Sequence, residues 1–215
     1  MAKINTVLFD FDGTIMDTNR VILQSWQHTF RTFEGRERAE EEIYSTFGEP
    51  LYITMKKVLP NIPVEEATDV YRSYNYGKFT DLISIFPGML ELLKKLKSSG
   101  YKIGLVTSRL AHTTKIGLEK FDIEQYFDAI ITCEDCNSFK PDPEPVNLAL
   151  ERLGSMPEES IMIGDSMFDI LCAKNAGVKS ALVGWALAVN EDEKTDENSP
   201  DHIILKPEDL LDILE

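Results

Sequence analysis

"VLFDFDGTIMDT", residues 7–18, carries an apolar run straight into two aspartates, Asp10 and Asp12, with one phenylalanine between them. A short apolar run without polar alternation is the pattern of a strand buried on both faces, as in a parallel sheet. One buried carboxylate is costly, and a second beside it is worse unless something positive sits there. Residues 4–10 are therefore expected to form a strand buried on both faces, ending in a polar loop.

The rest of the chain says what surrounds that strand. From Asp17, "DTNRVILQSWQHTF" begins with cap-type residues and sets Val21, Ile22, Ser25, Trp26 and Thr29 at helical spacing. Further helical stretches, "RAEEEIYSTFG", "EPLYITMKKVL" and "PVEEATDVYRSYNYGKF", are broken by Gly48-Glu49-Pro50 and by Pro60-Asn61-Ile62-Pro63, and no strand pattern interrupts residues 17–80. Beyond Pro87-Gly88 helices and strands alternate: helix "PGMLELLKKLKSSG", strand "YKIGLVTS", helix from about Arg109 to Lys120, then strands "FDAIIT", "SIMIGD", "KSALVG" and "DHIIL" with helices between them and a last helix "PEDLLDILE". Such alternation predicts an α/β fold, a parallel sheet with helices on both faces. The expected organisation is a core of residues 1–16 and 83–215 with a separate helical unit, residues 17–82, inserted between its first strand and the rest.

Composition narrows the function. The 215 residues suffice for a full core, and 43% apolar with 27% charged residues is ordinary for a globular protein. A net charge of -15 opposes nucleic-acid binding, which needs a basic face. No stretch approaches the length of a membrane span, and the N-terminus meets an aspartate too early for a signal peptide, so a cytoplasmic location is expected. Cys133, Cys136 and Cys172 are an odd count suited to a reducing compartment; the C-x-x-C lacks a second pair or nearby histidines and reads as ordinary thiols. The acidic segment "NEDEKTDENSP" is expected to be an exposed loop.

Ligands of such sheets bind at the carboxyl ends of the strands. Four strand ends carry side chains that could converge: Asp10 and Asp12, Thr107 and Ser108, Lys140, and Asp165 with Asp169. Three carboxylates together repel one another, and a hard divalent cation removes that difficulty. Oxygen ligands without histidine point to magnesium, bound through one or two carboxylates plus a substrate phosphate. An aspartate such as Asp10 is normally ionised at neutral pH and needs no base to act as a nucleophile, and carboxylates do form covalent phosphoryl intermediates. Asp12 would protonate the leaving oxygen and later deprotonate water. Gly13 permits a sharp turn that brings amides near a phosphate, and Thr14 is expected to hydrogen-bond locally and hold the loop. Thr107 and Ser108 would donate to the phosphoryl oxygens, Lys140 would fix a positive charge beside Asp10, and Asp169 would orient Lys140 or metal-bound water.

Taken together, "DFDGT", the strand ending at Thr107, Lys140 in "KPDPEP" and "GDSMFD" resemble the four motifs of the haloacid dehalogenase-like superfamily, in its phosphatase branch. The resemblance implies a Rossmann-like, doubly wound core with an inserted helical cap, magnesium dependence and a phosphoaspartyl intermediate on Asp10. It also implies that the metal is held by Asp10, the backbone carbonyl of Asp12, and Asp165. Within the superfamily, Asp12 disfavours dehalogenases and phosphonate-cleaving relatives. Sugar phosphomutases are an alternative, but the arginine-rich, serine-containing segment usual in their caps is not found between residues 17 and 80. The chain looks most like small bacterial phosphoglycolate phosphatases and related inorganic pyrophosphatases, whose caps share a "G-x-P-L" turn like "GEPL" at 48–51.

A magnesium-dependent phosphohydrolase acting on a small phosphorylated metabolite or pyrophosphate is therefore expected; a non-catalytic phosphate-binding module is the contrasting possibility. Hinges are expected near residues 16–18 and 82–86. Glu49, Lys56 and Arg109 are candidate substrate contacts, Arg109 the best placed. Trp26, Phe30, Phe33, Tyr44 and Phe47 are expected in the cap's own core, and His28, His112 and His202 are given no catalytic role. No nucleic-acid or membrane partner is expected, and the assembly is expected to be a monomer or weak homodimer.

Overall fold

The computed structural model describes residues 3–185, 187 and 198–214, so that residues 190–197 of the acidic segment lie outside the described residues. Along the chain, β1 (Thr6–Phe9) leads to the two-residue strand β2 (Met16–Asp17) and helices α1 (Asn19–Glu34), α2 (Glu40–Tyr44), α3 (Leu51–Val58) and α4 (Val64–Leu82). The short strand β3 (Ser84–Ile85) follows, then α5 (Met89–Ser98), β4 (Lys102–Val106), α6 (Ala111–Lys120) and β5 (Ala129–Ile131). The chain continues through α7 (Glu144–Leu153), β6 (Ser160–Gly164), α8 (Met167–Asn175), β7 (Lys179–Val183), β8 (His202–Ile204) and α9 (Asp209–Leu214).

Six strands form one parallel sheet in the order β5-β4-β1-β6-β7-β8. Side chains alternate between the faces, as a period of two demands. Val7, Phe9, Ile103, Leu105, Ile161 and Ile163 face one apolar cluster with Leu92, Leu93 and Leu96 of α5 and Leu210 of α9. Leu8, Val106 and Met162 face the other, with Val146, Ala149 and Leu150 of α7 and Cys172 and Ala173 of α8. The sheet is thus covered on both faces, the reason its strands read as apolar runs. The expected α/β, doubly wound fold is borne out. From β1 the chain proceeds outward to β4 and β5, then returns to the other side of β1 for β6, β7 and β8. The order reverses at β1, which puts a binding crevice at the carboxyl end of that strand.

Helices α1–α4 bury a cluster of their own, built on Trp26, Phe30, Ile43, Met55, Leu59 and Ala67. The antiparallel pair β2–β3, Met16 opposite Ile85 and Asp17 opposite Ser84, ties the two chain crossings between this unit and the sheet. The sequence shows no strand signal there, because two-residue strands are too short to display a period. Thr18 occupies the N-cap of α1 without a side-chain cap bond; Asp17 Oδ1 accepts from the backbone and side-chain N–H of Asn19 instead, at 3.2 and 3.0 Å. No helix among the described residues is long and apolar enough to cross a membrane.

Candidate active site

The sheet delivers its side chains to the crevice one strand end at a time. Beyond β1, the Asp10 N–H still donates to Ile163 O at 2.9 Å, so Asp10 sits at the end of the hydrogen-bonded ladder, in the central strand. The backbone then turns tightly: Gly13 N–H donates to Met16 O at 2.9 Å, and Ile15 and Met16 N–H both donate to Phe11 O. Gly13 has φ +72°, and a Cβ there would stand 2.1 Å from Asp165 Oδ2, so no side chain fits between this loop and the end of β6. Thr14 differs from expectation. Its buried hydroxyl has no hydrogen-bond partner, because the backbone bonds of the turn already hold the loop.

Lys140 reaches the same point from the loop after β5. Its Nζ lies 2.8 Å from Asp10 Oδ1 and 2.5 Å from Asp169 Oδ1, and all three side chains are at most 10% exposed. Asp169 Oδ2 accepts from the Ser166 N–H and hydroxyl at 3.1 and 2.6 Å, which is also a capping box starting α8. Asp169 therefore starts a helix and anchors Lys140 at once. Burial would strip Lys140 of its proton, but Asp10 and Asp169 together more than offset this and hold its pKa above the ordinary lysine value. Asp10 is pushed up to about 7, first by burial and against the pull of Lys140. Asp165 is raised well above the carboxylate range by burial and then by the charges of Asp10 and Asp169.

Thr107 and Ser108, after β4, line the same cavity, and Thr107 Oγ1 accepts the Arg109 N–H at 3.1 Å. The Arg109 side chain turns onto Asp12: Nε is 2.9 Å from Oδ2 and Nη2 is 2.8 Å from Oδ1, a bidentate pair. Its guanidinium also lies 4.4 Å from the centre of the Phe79 ring. Arg109 is thus paired with Asp12, while the sequence suggests a contact with substrate.

The helical unit closes over these residues. A cavity of about 270 Å³ lies between it and the strand ends, with Asp10, Lys140 and Asp165 on its floor. The "GEPL" turn forms part of its roof: Gly48, φ +82°, sits against Ser166, where a Cβ would come within 2.7 Å of that side chain. Glu49 lines the cavity with its carboxylate engaged by Lys57 and by the Thr54 hydroxyl at 2.8 Å. Lys56 does not line it; its ammonium lies 4.3 Å from the centre of the Tyr52 ring. Trp26 and Phe47 do pack in the helical unit's core, yet they also border the cavity. Sequence reading misses the contribution of α4, whose Tyr71, Arg72, Asn75 and Tyr76 all line the cavity. Their spacing, one pair a helical turn beyond the other, is the signal that one face of α4 is turned toward the strand ends. None of the three histidines is among the lining residues.

A family model for haloacid dehalogenase-like hydrolases matches residues 7–183. The chain belongs to that family. Pyrophosphatase PpaX of Halalkalibacterium halodurans is 38% identical over 212 residues, covering 99% of this chain and 97% of the relative, and its namesake from a Bacillus cereus strain is 37% identical over the same length. Among solved structures, the haloacid dehalogenase-like hydrolase SP0104 of Streptococcus pneumoniae superposes with a TM-score of 0.87 at 27% identity, covering 99% of each chain. A Clostridium acetobutylicum protein described as a predicted phosphatase gives 0.85 at 26% identity, again covering 99% of each. The resemblance read from the four motifs is thereby established.

The donor chemistry of this hydrolase's floor suits a hard divalent cation. Oxygens of Asp10, Asp165 and Asp169 lie within 4.8 Å of one another, with no histidine or cysteine in the cluster. Both Asp169 oxygens are already engaged by Lys140 and Ser166, which leaves Asp10 and Asp165 to turn toward an ion. On the floor, the carboxylates Asp10, Asp12, Asp165 and Asp169 outnumber the cations paired with them, Lys140 and Arg109, an excess of negative charge that a divalent ion offsets.

Proposed function

We propose that this hydrolase is a magnesium-dependent phosphohydrolase that passes the phosphoryl group of a small substrate, inorganic pyrophosphate foremost, through a phosphoaspartyl intermediate on Asp10. The observation that carries the reading is the placement of Asp10 at the central strand end, 2.8 Å from Lys140 and across the loop from Asp165. The relatives at 37–38% identity over nearly the whole chain, named as pyrophosphatases, favour pyrophosphate over a phosphoglycolate-like ester.

Asp10 would attack phosphorus through the oxygen not bonded to Lys140, while Lys140, Thr107 and Ser108 hold the non-bridging oxygens. Asp12, once it turns from Arg109 to the substrate and takes up a proton, would pass that proton to the leaving oxygen and afterwards take one from the water that hydrolyses the acyl phosphate. A magnesium ion held by Asp10, Asp165 and the Asp12 carbonyl would neutralise charge on the phosphoryl oxygens. The helical unit would act as a cap, its closure keeping bulk water out during the first transfer and its walls selecting the group beyond the phosphoryl. At about 270 Å³ the cavity lies just under the usual range for ligand pockets, which suits a substrate of the size of pyrophosphate.

Purified protein supplied with pyrophosphate and Mg²⁺ is expected to release phosphate. Chelation should lower that rate by at least about 10²-fold, since several kcal/mol of transition-state stabilisation leave with the ion. Adding Mg²⁺ back should restore it. A rate indifferent to chelator, or no hydrolysis of pyrophosphate, phosphoglycolate or an aryl phosphate, would overturn the reading.

A further inference from the structure

Three cations line the cavity among the described residues: Lys140, Arg109 and Arg72. The first two are paired with carboxylates, Lys140 with Asp10 and Asp169 and Arg109 with Asp12. Arg72 has no carboxylate within ion-pair distance and no hydrogen bond among the described residues, although it is only partly exposed. It projects from α4 in the helical unit, one residue after the buried Tyr71, and its charge is felt at the Cys133 thiol in the loop after β5. Arg72 thus lines the cavity from the helical unit's side. The surroundings sharpen the point: Leu51, Tyr52, Ile53, Tyr76 and Phe139 supply an apolar and aromatic rim. A partly desolvated guanidinium in such a rim has nothing of opposite charge to satisfy it, and a planar fork of N–H donors fits a carboxylate or phosphate.

We infer that Arg72 is a specificity-determining residue that binds a second anionic group of the substrate, the group beyond the phosphoryl that reaches Asp10. This inference rests on the phosphohydrolase reading and adds to it the chemical class of the distal group: a phosphoryl or a carboxylate, in preference to a neutral hydroxyl or an aryl ring. Glu49 stays with Lys57 and Thr54, so that the anion at Arg72 meets no unpaired like charge from the turn above it.

The test compares kcat/KM for pyrophosphate, for phosphoglycolate and for 2-hydroxyethyl phosphate, which replaces the carboxylate of phosphoglycolate by a neutral group. In wild-type protein at least one of the anion-ended substrates should be favoured over the neutral-ended one. In Arg72→Gln that ratio should fall about 10- to 100-fold, the range of one charge-assisted hydrogen-bond pair. The loss should appear mainly in KM, and Arg72→Lys should recover part of it. Which anion-ended substrate loses more identifies whether the distal group is phosphoryl or carboxylate. An unchanged ratio, or an equal fall on all three substrates, would overturn the inference while leaving the phosphohydrolase reading intact. A wild-type protein that hydrolyses none of the three and no aryl phosphate would overturn that reading, and the inference with it.

Discussion

Asp10→Asn should reduce phosphate release by at least about 10⁴-fold, because it removes the group that forms the covalent bond and leaves only binding and electrostatic positioning. Asparagine keeps the shape and its side-chain oxygen can still accept from Lys140, so the geometry of the floor should survive. Stability should not fall. Asp10 is a buried carboxylate among others, and Lys140 retains Asp169 as its counter-ion. In metal-free protein the melting temperature of the variant is expected to equal or exceed that of the wild type. A catalytic collapse without thermal loss separates a chemical role from a structural one; near-wild-type turnover would refute the role of Asp10.

Lys140→Met should fail in the opposite manner, in stability and rate together. Lys140 is the cation between Asp10 and Asp169, both buried, with Asp165 nearby. Its removal strands carboxylates without a partner, at a cost of about 3–5 kcal/mol. Loss of the fixed positive charge at the phosphoryl site should lower kcat by about 10³-fold. The double variant Lys140→Met with Asp169→Asn removes one of the stranded charges, so part of the stability should return while activity does not. Chemical denaturation of the four proteins in the cycle measures this coupling, and additive effects would show that the pair does not interact.

Much of this arrangement was legible in the chain, and the reason is topological. Apolar runs mark strands, alternation with helices makes them parallel, and a parallel sheet gathers its strand ends along one edge. Asp10, Thr107 and Asp165 could therefore be placed near one another without knowing any contact between them. Order along the chain places Lys140 at a strand end, and the structure brings it onto Asp10. Partner choice within the site is another matter. Nothing local in "TSRL" says that Arg109 turns back onto Asp12, because the two are joined only through the folded crevice. The unpartnered Thr14 hydroxyl likewise reflects competition won by backbone bonds in the turn. Arg72 is not legible in the sequence because a helix in contact with α1, α3 and α6 shows mixed polarity all round, which hides the face turned toward the cavity.

A crystal structure of the protein with Mg²⁺ and beryllofluoride, a mimic of the phosphoryl group, tests the central claim most directly. Beryllium bonded to an Asp10 carboxylate oxygen, with Lys140 and the hydroxyls of Thr107 or Ser108 on its fluorines, is the predicted result. Beryllofluoride bound away from Asp10, with the side chains at 10, 140 and 165 dispersed, would contradict it.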